Sequence, residues 1–242
     1  MDLEYALQYR ELYRRHWWWR ARERLILDVL ARLRPPGRGG WSAILDVGCG
    51  DGLFFERLAE FGAVEGVEPD ASLVAPDGPY RDHIHVVPFD RSFRPGRRYG
   101  LILMLDVLEH LPEPAEALRH ALALLEPGGI LLVTVPAFPL LWTNHDVLNH
   151  HYARYTKASF ARLARAAGLR IVRSRYFFQW LFPAKLGARL LEALWPRPPA
   201  PPRVPPPWIN RALYLVSRGE QRVYGALPVP FGSSLLVIAA KP

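Results

Sequence analysis

Residues 45–52 read LDVGCGDG, and they close the apolar run AILDV at 43–47. A short aliphatic run ended by glycines predicts a buried strand that turns abruptly into a loop. The stretch after it, LFFERLAEFG (53–62), predicts a helix closed by Gly62. Strand, glycine loop and helix in that order put the loop over the carboxyl end of a strand, where open α/β sheets bind their ligands. Glycines there let backbone N–H groups approach a ligand, and the helix N-terminus favours negative charge.

Spacing decides which ligand. The dinucleotide fingerprint is G-x-G-x-x-G, whereas here the third glycine, Gly52, comes one residue early and Leu53 holds its place. No Gly-Lys-Ser/Thr follows, which excludes a P-loop. What remains is Gly48-x-Gly50-x-Gly52, with Asp46 just before it and Glu68 at the end of the next strand, VEGVEP (64–69). A carboxylate at the second place can accept both hydroxyls of a ribose. Asp46 can order the loop and receive an ammonium group. The ligand implied is a nucleoside with an amino-acid-like tail, not chiefly a phosphate.

The rest of the chain continues the alternation. HIHVVPF (83–89), LILMLDV (101–107) and ILLVTVP (130–136) are further runs of strand type. PEPAEALRHALALLEPGG (112–129) is a helix with prolines and acids in its first turn and glycines past its end. Residues 3–33 read as helical, with Leu25, Ile26, Val29, Leu30 and Leu33 on one stripe, until RPPGRGG (34–40) breaks the pattern. After an irregular stretch at 136–155 come a helix, KASFARLARAAG (157–168), and two last strands, LRIVRSRYFF (169–178) and SSLLVIAAK (233–241). Between those two strands lies a segment too long for an ordinary loop. It contains PRPPAPPRVPPP (196–207), a rigid extended spacer by composition. Such alternation predicts an α/β fold with a doubly wound parallel sheet.

With these motifs in place, the stretch from Asp46 to about Leu132 resembles the class I S-adenosylmethionine-dependent methyltransferases. LDVGCGDG is similar to their first motif, VEGVEPD (64–70) to the acidic segment after it, and LDVLEHL (105–111) to the segment ending strand four. The resemblance implies a Rossmann-like, seven-stranded, mostly parallel sheet with an antiparallel last strand. It also implies S-adenosylmethionine as cofactor. Gly48, Gly50 and Gly52, with Cys49 among them, would line the methionine side, and Glu68 beside Pro69 would bind the ribose. Asp90, in VVPFD, would lie by the adenine amino group, while Leu105, Asp106 and His110 would close over the cofactor. Gly100 departs from the pattern, since many relatives carry an acid there. HWWWRARERLIL (16–27), VPAFPLLWTNHDVLNHHYARYT (135–156) and LPVPFGSSLLVIAAKP (227–242) resemble a narrower bacterial branch, UbiE/UbiG-like. Members of that branch often look like modifiers of cell-envelope, glycan or lipid-linked compounds, and the resemblance implies an acceptor of that kind. One methyltransferase domain over 1–242 is expected: an N-terminal helical lid (1–40), a cofactor-binding core (41–176), a substrate-cap insertion (177–231) and the last strand (232–242).

The transfer so implied is an in-line displacement, helped most by excluding water and aligning the atoms. A base is needed where the acceptor must shed a proton. Candidates lie beyond strand five: His145, Asp146, His150, His151, Arg154 and Tyr155. His151 is the first choice, matching the histidine of the branch and titrating near neutrality. His145 beside Asp146 comes second, and Tyr155 completes the catalytic candidates. No tight donor pair at helical spacing accompanies them, so no metal is expected. In HWWWRAR three consecutive tryptophans cannot all face one core. The segment is either a lid, with Arg20 or Arg22 meeting the cofactor carboxylate or an anionic substrate, or ordinary helix packing.

Composition limits the partners. The 242 residues carry 31 Lys and Arg against 23 Asp and Glu, a formal charge of +8. That surplus suits an anionic partner or a scatter over solvated helix faces. Nucleic acid is not expected, because VTVPAF (133–138) stands where an Asn/Asp-Pro-Pro-Tyr motif for base amines would follow a strand. A single cysteine excludes an intramolecular disulfide and fits a cytoplasmic protein. No apolar run is long enough to span a bilayer. FFQWLFPAKLGARLLEALW (177–195) can cap the substrate pocket, pair subunits in a homodimer, or lie in a membrane interface at the inner membrane face. The expected acceptor is small, lipid-like or glycan-linked. The alternatives are a scaffold that binds the cofactor, or a membrane surface, without turnover and, less favoured, an NAD(P)-dependent oxidoreductase.

Overall fold

A computed structural model describes residues 3–35, 37, 39–195, 198, 201–225 and 227–241, and residues 196, 197, 199 and 200 of the expected proline-rich spacer lie outside them. Its sheet has seven strands: β1 (Trp41–Val47), β2 (Gly62–Val67), β3 (Ile84–His85), β4 (Tyr99–Leu105), β5 (Leu125–Pro136), β6 (Arg170–Phe177) and β7 (Ser234–Ala240). They lie in the order β3-β2-β1-β4-β5-β7-β6. β7 runs antiparallel to both neighbours, and the other pairings are parallel. The order reverses beside β1, which puts LDVGCGDG at the switch point of the sheet.

Each face of the sheet carries its own apolar layer. Leu45, Val47, Ile102 and Met104 pack with α4 (Pro114–Leu124) and α6 (Lys157–Ala166). Ile44, Leu101 and Leu103 point the other way, against α2 (Trp17–Leu33). This is the period-two alternation of strands buried on both sides. Gly100 is explained here, because a Cβ would stand 3.0 Å from the Trp41 ring and 3.2 Å from Ser42 Oγ. The space an acid would need is filled by Trp41.

Four expectations are corrected. The helix expected over 3–33 is two, α1 (Leu3–Arg15) and α2, because extended His16 (φ −74°, ψ 132°) caps the second by accepting from the Trp18 amide. The helix after the glycine loop shrinks to α3 (Phe55–Leu58), since residues 51–54 are spent in turns around the loop. β3 holds two residues instead of seven, because its partner β2 ends at Val67, opposite His85, and the Val87 amide turns back to donate to the His85 carbonyl at 3.1 Å. The insertion contains α7 (Leu181–Leu194), as expected, and a second helix, α8 (Pro207–Val223), that begins at the last proline of the spacer. Pro207 sits at the first helical position, where a missing N–H costs nothing.

α8 braces the N-terminal helices. Asn210 accepts from the Trp17 amide at 2.8 Å and donates to the Arg15 carbonyl at 2.7 Å, so one side chain clamps the break between α1 and α2. Arg218 pairs with Asp28 at 2.7 Å, and Gln221 donates to the Ala21 carbonyl. The three tryptophans divide their work accordingly. Trp17 is buried against Phe178 and Trp180, Trp18 lies on Phe178 and under Arg22, and Trp19 meets Tyr9 and His16.

Candidate active site

The glycine loop leaves β1 with three residues at positive φ: Gly48 (71°), Gly50 (54°) and Gly52 (67°). A Cβ on Gly48 would stand 2.8 Å from Val107, whereas one on Gly50 would meet nothing within 4 Å. The loop is thus pressed against its own fold at Gly48 and open at Gly50. Glu68, buried at the end of β2, shapes it: one carboxylate oxygen accepts from the Gly50 amide at 3.0 Å and the other from the Asp70 amide at 3.0 Å. Each oxygen keeps a lone pair, so the carboxylate can still accept a diol. Burial raises the Glu68 carboxyl above its usual range, and those two amides pull it back. Pro69 beside it is exposed.

Asp46 lies at the base of the loop, 5% exposed. Burial pushes its carboxyl up to about 7, against the pull of Arg22 and with a push from Glu68. It therefore stands ready to ionise when a cation arrives. Cys49 is half-buried, and burial raises its thiol well above the usual range, leaving it an inert loop residue.

The N-terminal helices reach this loop directly. Arg10 of α1 pairs with Asp51 at 2.9 Å, and Arg22 of α2 pairs with Asp106 at 2.7 Å. Asp106 adopts φ 57°, unusual for a non-glycine residue, just past β4 and beside half-buried Leu105. Its amide donates to the Thr134 carbonyl and its carboxylate accepts from Thr134 Oγ1. The Nε atoms of Arg10 and Arg22 are buried with no partner. Buried donors left unsatisfied beside an open glycine loop are what a polar ligand would complete.

A second group of residues stands beyond β5. Asp146, 0% exposed, accepts from His151 Nδ1 at 2.8 Å, from Arg154 at 2.8 and 2.9 Å, and from the Thr143 amide at 2.9 Å. Burial works against this charge, but His151 and Arg154 hold the carboxyl far below the usual range. With Nδ1 committed to Asp146, His151 keeps Nε2 as its free acceptor. The His151 ring lies 4.7 Å from that of His110 and 6.3 Å from that of His145. Burial, with His151 nearby, lowers the His110 pKa. α7 closes over the group: Arg189 donates to the Pro139 and Leu140 carbonyls, and Glu192 accepts from the Asn144 amide. Lys185 of α7 is half-buried, and burial with Arg154 close by lowers it to about 8. Phe138, Phe182, Phe231 and Tyr176 form an aromatic wall beside it.

Two expected side chains, Arg20 and Tyr155, are engaged elsewhere, and Asp90 lies at the surface. Arg20 points outward, exposed, with its guanidinium over Tyr214 of α8, because residues 20 and 22 on a helix face different ways. Tyr155 is a core residue whose hydroxyl donates to the Leu108 carbonyl at 3.2 Å. Asp90 sits on an exposed turn, its carboxylate accepting from the amide and hydroxyl of Ser92.

Two residues carried no sequence signal of their own. Glu109, 1% exposed, leaves one carboxylate oxygen unpartnered, and burial beside Asp106 raises it well above its usual range. One ligand atom each from Glu109, His110 and His151 falls within 4.8 Å of the others, a set that can hold a cation and that no spacing rule reveals. Burial disfavours the charged form of Glu109 that such binding would need. The other is Arg10, which nothing in the N-terminal sequence marks as facing a loop forty residues away.

A doubly wound sheet with a glycine loop at its switch point defines the class. A methyltransferase-domain family model matches residues 18–174, well over half of the chain, and the chain belongs to that family. It is 30% identical over 184 residues to the ubiquinone biosynthesis O-methyltransferase of Xanthomonas axonopodis pv. citri, spanning 66% of this chain and 75% of that protein. Among solved structures it resembles an S-adenosylmethionine-dependent methyltransferase of Archaeoglobus fulgidus (TM-score 0.56, 16% identity, 90% of this chain and 94% of that one). It also resembles the N-methyltransferase NodS of Bradyrhizobium japonicum with bound S-adenosyl-L-homocysteine (TM-score 0.51, 15% identity, 90% and 87%). The protein is a methyltransferase, and its cofactor is S-adenosylmethionine.

Proposed function

We propose that this enzyme methylates a hydroxyl on a small, lipid-like or glycan-linked acceptor, and that His151 takes the hydroxyl proton. The observation that carries this is the Asp146–His151 pair, with Asp146 fixed by the Arg154 fork and His151 Nε2 left free. S-adenosylmethionine supplies an electrophilic methyl whose sulfur leaves as a neutral thioether. Asp46 would face its ammonium, Glu68 its ribose diol, and Gly50 its methionine side. Arg22, Arg10 and the α1–α2 pair would exclude water. His151 Nε2 would take the proton of the acceptor hydroxyl as that oxygen is methylated. Asp146 is a positioning residue: it holds the ring in one tautomer and steadies the imidazolium. The aromatic wall and α7 favour an apolar acceptor, and Leu191, Leu194 and Trp195 at the exposed end of α7 suit peripheral membrane contact. The O-methyltransferase activity in the Xanthomonas relative's name agrees with a hydroxyl acceptor.

A panel of prenylated phenols, hydroxylated lipids and lipid-linked sugars, scored by S-adenosylhomocysteine release, tests this. With the acceptor found, His151→Ala is expected to lower kcat by at least about a hundredfold while cofactor affinity stays unchanged. Asp146→Asn should lower kcat less and shift the pH profile. Full turnover by His151→Ala would rule out its role as base.

A further inference from the structure

A groove of about 510 Å³ lies away from the glycine loop, where the break between α1 and α2 meets α8. Arg14, Arg15, Arg20 and Arg211 line it, with Tyr214 and Leu215. Arg15 is paired with Glu11, but among the described residues no carboxylate pairs with Arg14, Arg20 or Arg211. Three of the arginines on another face are paired: Arg91 and Arg119 share Glu116, and Arg97 holds Glu65. The groove is also built firmly. Asn210, which lines it, clamps Trp17 and Arg15, and Arg20 rests on the Tyr214 ring at 4.9 Å. Unpaired guanidiniums held around a rigid concavity form a site for a phosphate or another multiply charged oxyanion.

The flank of the groove says what carries the anion. α8 turns Leu213, Tyr214, Ser217 and Arg218 toward the body, yet its solvent side is apolar too: Trp208 is 74% exposed, with Leu215, Val216 and Val223 also exposed. These positions recur at helical spacing and form one stripe, bordered by Arg211 and Arg222. An aromatic and aliphatic stripe edged by arginines has the form of a helix lying in a bilayer interface. Charge complementarity then selects an anionic leaflet. We propose that α8 and this groove dock on a membrane surface, the groove seating the phosphate of an anionic phospholipid headgroup. The proposal deepens the peripheral-membrane part of the proposed function and does not depend on methyl transfer.

The test is flotation of the full chain with vesicles of phosphatidylcholine alone or mixed with phosphatidylglycerol, at low and high salt and with inorganic pyrophosphate as competitor. Calorimetric binding of S-adenosylhomocysteine checks that each variant is folded. Binding to the mixed vesicles, weakened by salt and by pyrophosphate, is expected. Arg14→Ala and Arg211→Ala should each weaken it about fivefold. Trp208→Ser with Leu215→Ser should weaken it without changing its salt dependence, which keeps the proposal testable should an arginine variant fail to fold. Equal binding to pure phosphatidylcholine would leave membrane contact standing and overturn the headgroup site. Binding to neither vesicle would overturn both, and pyrophosphate binding without vesicle binding would assign the groove to a free phosphate ligand instead.

Discussion

Asp46 and Glu68 are both buried carboxyls within one loop, and their environments separate their roles. Glu68 has two amides to hold it and supports the loop; Asp46 has burial and only the field of Arg22. Its folded pKa of about 7 stands above the ordinary 3.8. Protonated Asp46 therefore contributes stability that is fully present below about 3.8 and lost as pH rises through about 7. An ammonium bound beside it reverses the preference, so affinity for S-adenosylhomocysteine should rise with pH up to about 7 and then level off. The slope should reach at most about tenfold per pH unit. Calorimetry across pH 5.5 to 8, in about six steps and in buffers of different ionisation enthalpy, would read the released proton. Asp46→Asn should flatten the profile, and an unchanged slope in that variant would assign the titration to another group.

At the scale of elements, the N-terminal helix pair depends on the break at His16. Its neutral ring accepts from the Trp18 amide, and burial lowers its pKa to about 4. The folded value lies below the unfolded 6.5, so the cap's contribution is present above pH 6.5 and lost as pH falls through about 4. His16→Ala should cost about 1 kcal/mol and lower Tm by about 2–4 °C at pH 7.5, with a smaller difference from wild type near pH 4.5. A difference that does not change with pH would mean that the ring packs but does not cap. Most of the strands were legible because aliphatic runs, glycine turns and capped helices act locally. The break at His16 was not, since apolar periodicity runs straight through it and the cap depends on a side-chain hydrogen bond. α8 was hidden for the opposite reason. Its stripe is split between a face packed on α2 and an apolar face in solvent, which blurs the single stripe that marks a surface helix.

At the scale of the molecule, the fold brings two groups of residues to one sheet edge: the glycine loop with Asp46 and Glu68 over β1 and β2, and the Asp146–His151 pair beyond β5, under α7. The residues proposed for the cofactor could be read from sequence because they sit at fixed offsets from β1, β2 and β4. The acceptor half was legible only as a set of candidates, because three-dimensional contact alone separates His151, whose ring is held by Asp146, from Tyr155, whose hydroxyl is spent on Leu108. Arg20 and Arg22 were likewise separated only by which way the helix faces. No helix among the described residues is long and apolar enough to cross a membrane.

The most direct test of the account is calorimetric titration with S-adenosylhomocysteine, with NADH as control, of the wild type, Glu68→Ala and Gly50→Val. Wild-type binding is expected, with none for NADH. Glu68→Ala removes charged acceptors from two amides and should weaken binding by about a hundredfold, and Gly50→Val, a β-branched side chain at φ 54°, should abolish it. Folded wild-type protein that fails to bind S-adenosylhomocysteine, or variants that bind it as tightly as wild type, would contradict the assignment of the glycine loop and Glu68 as the cofactor site.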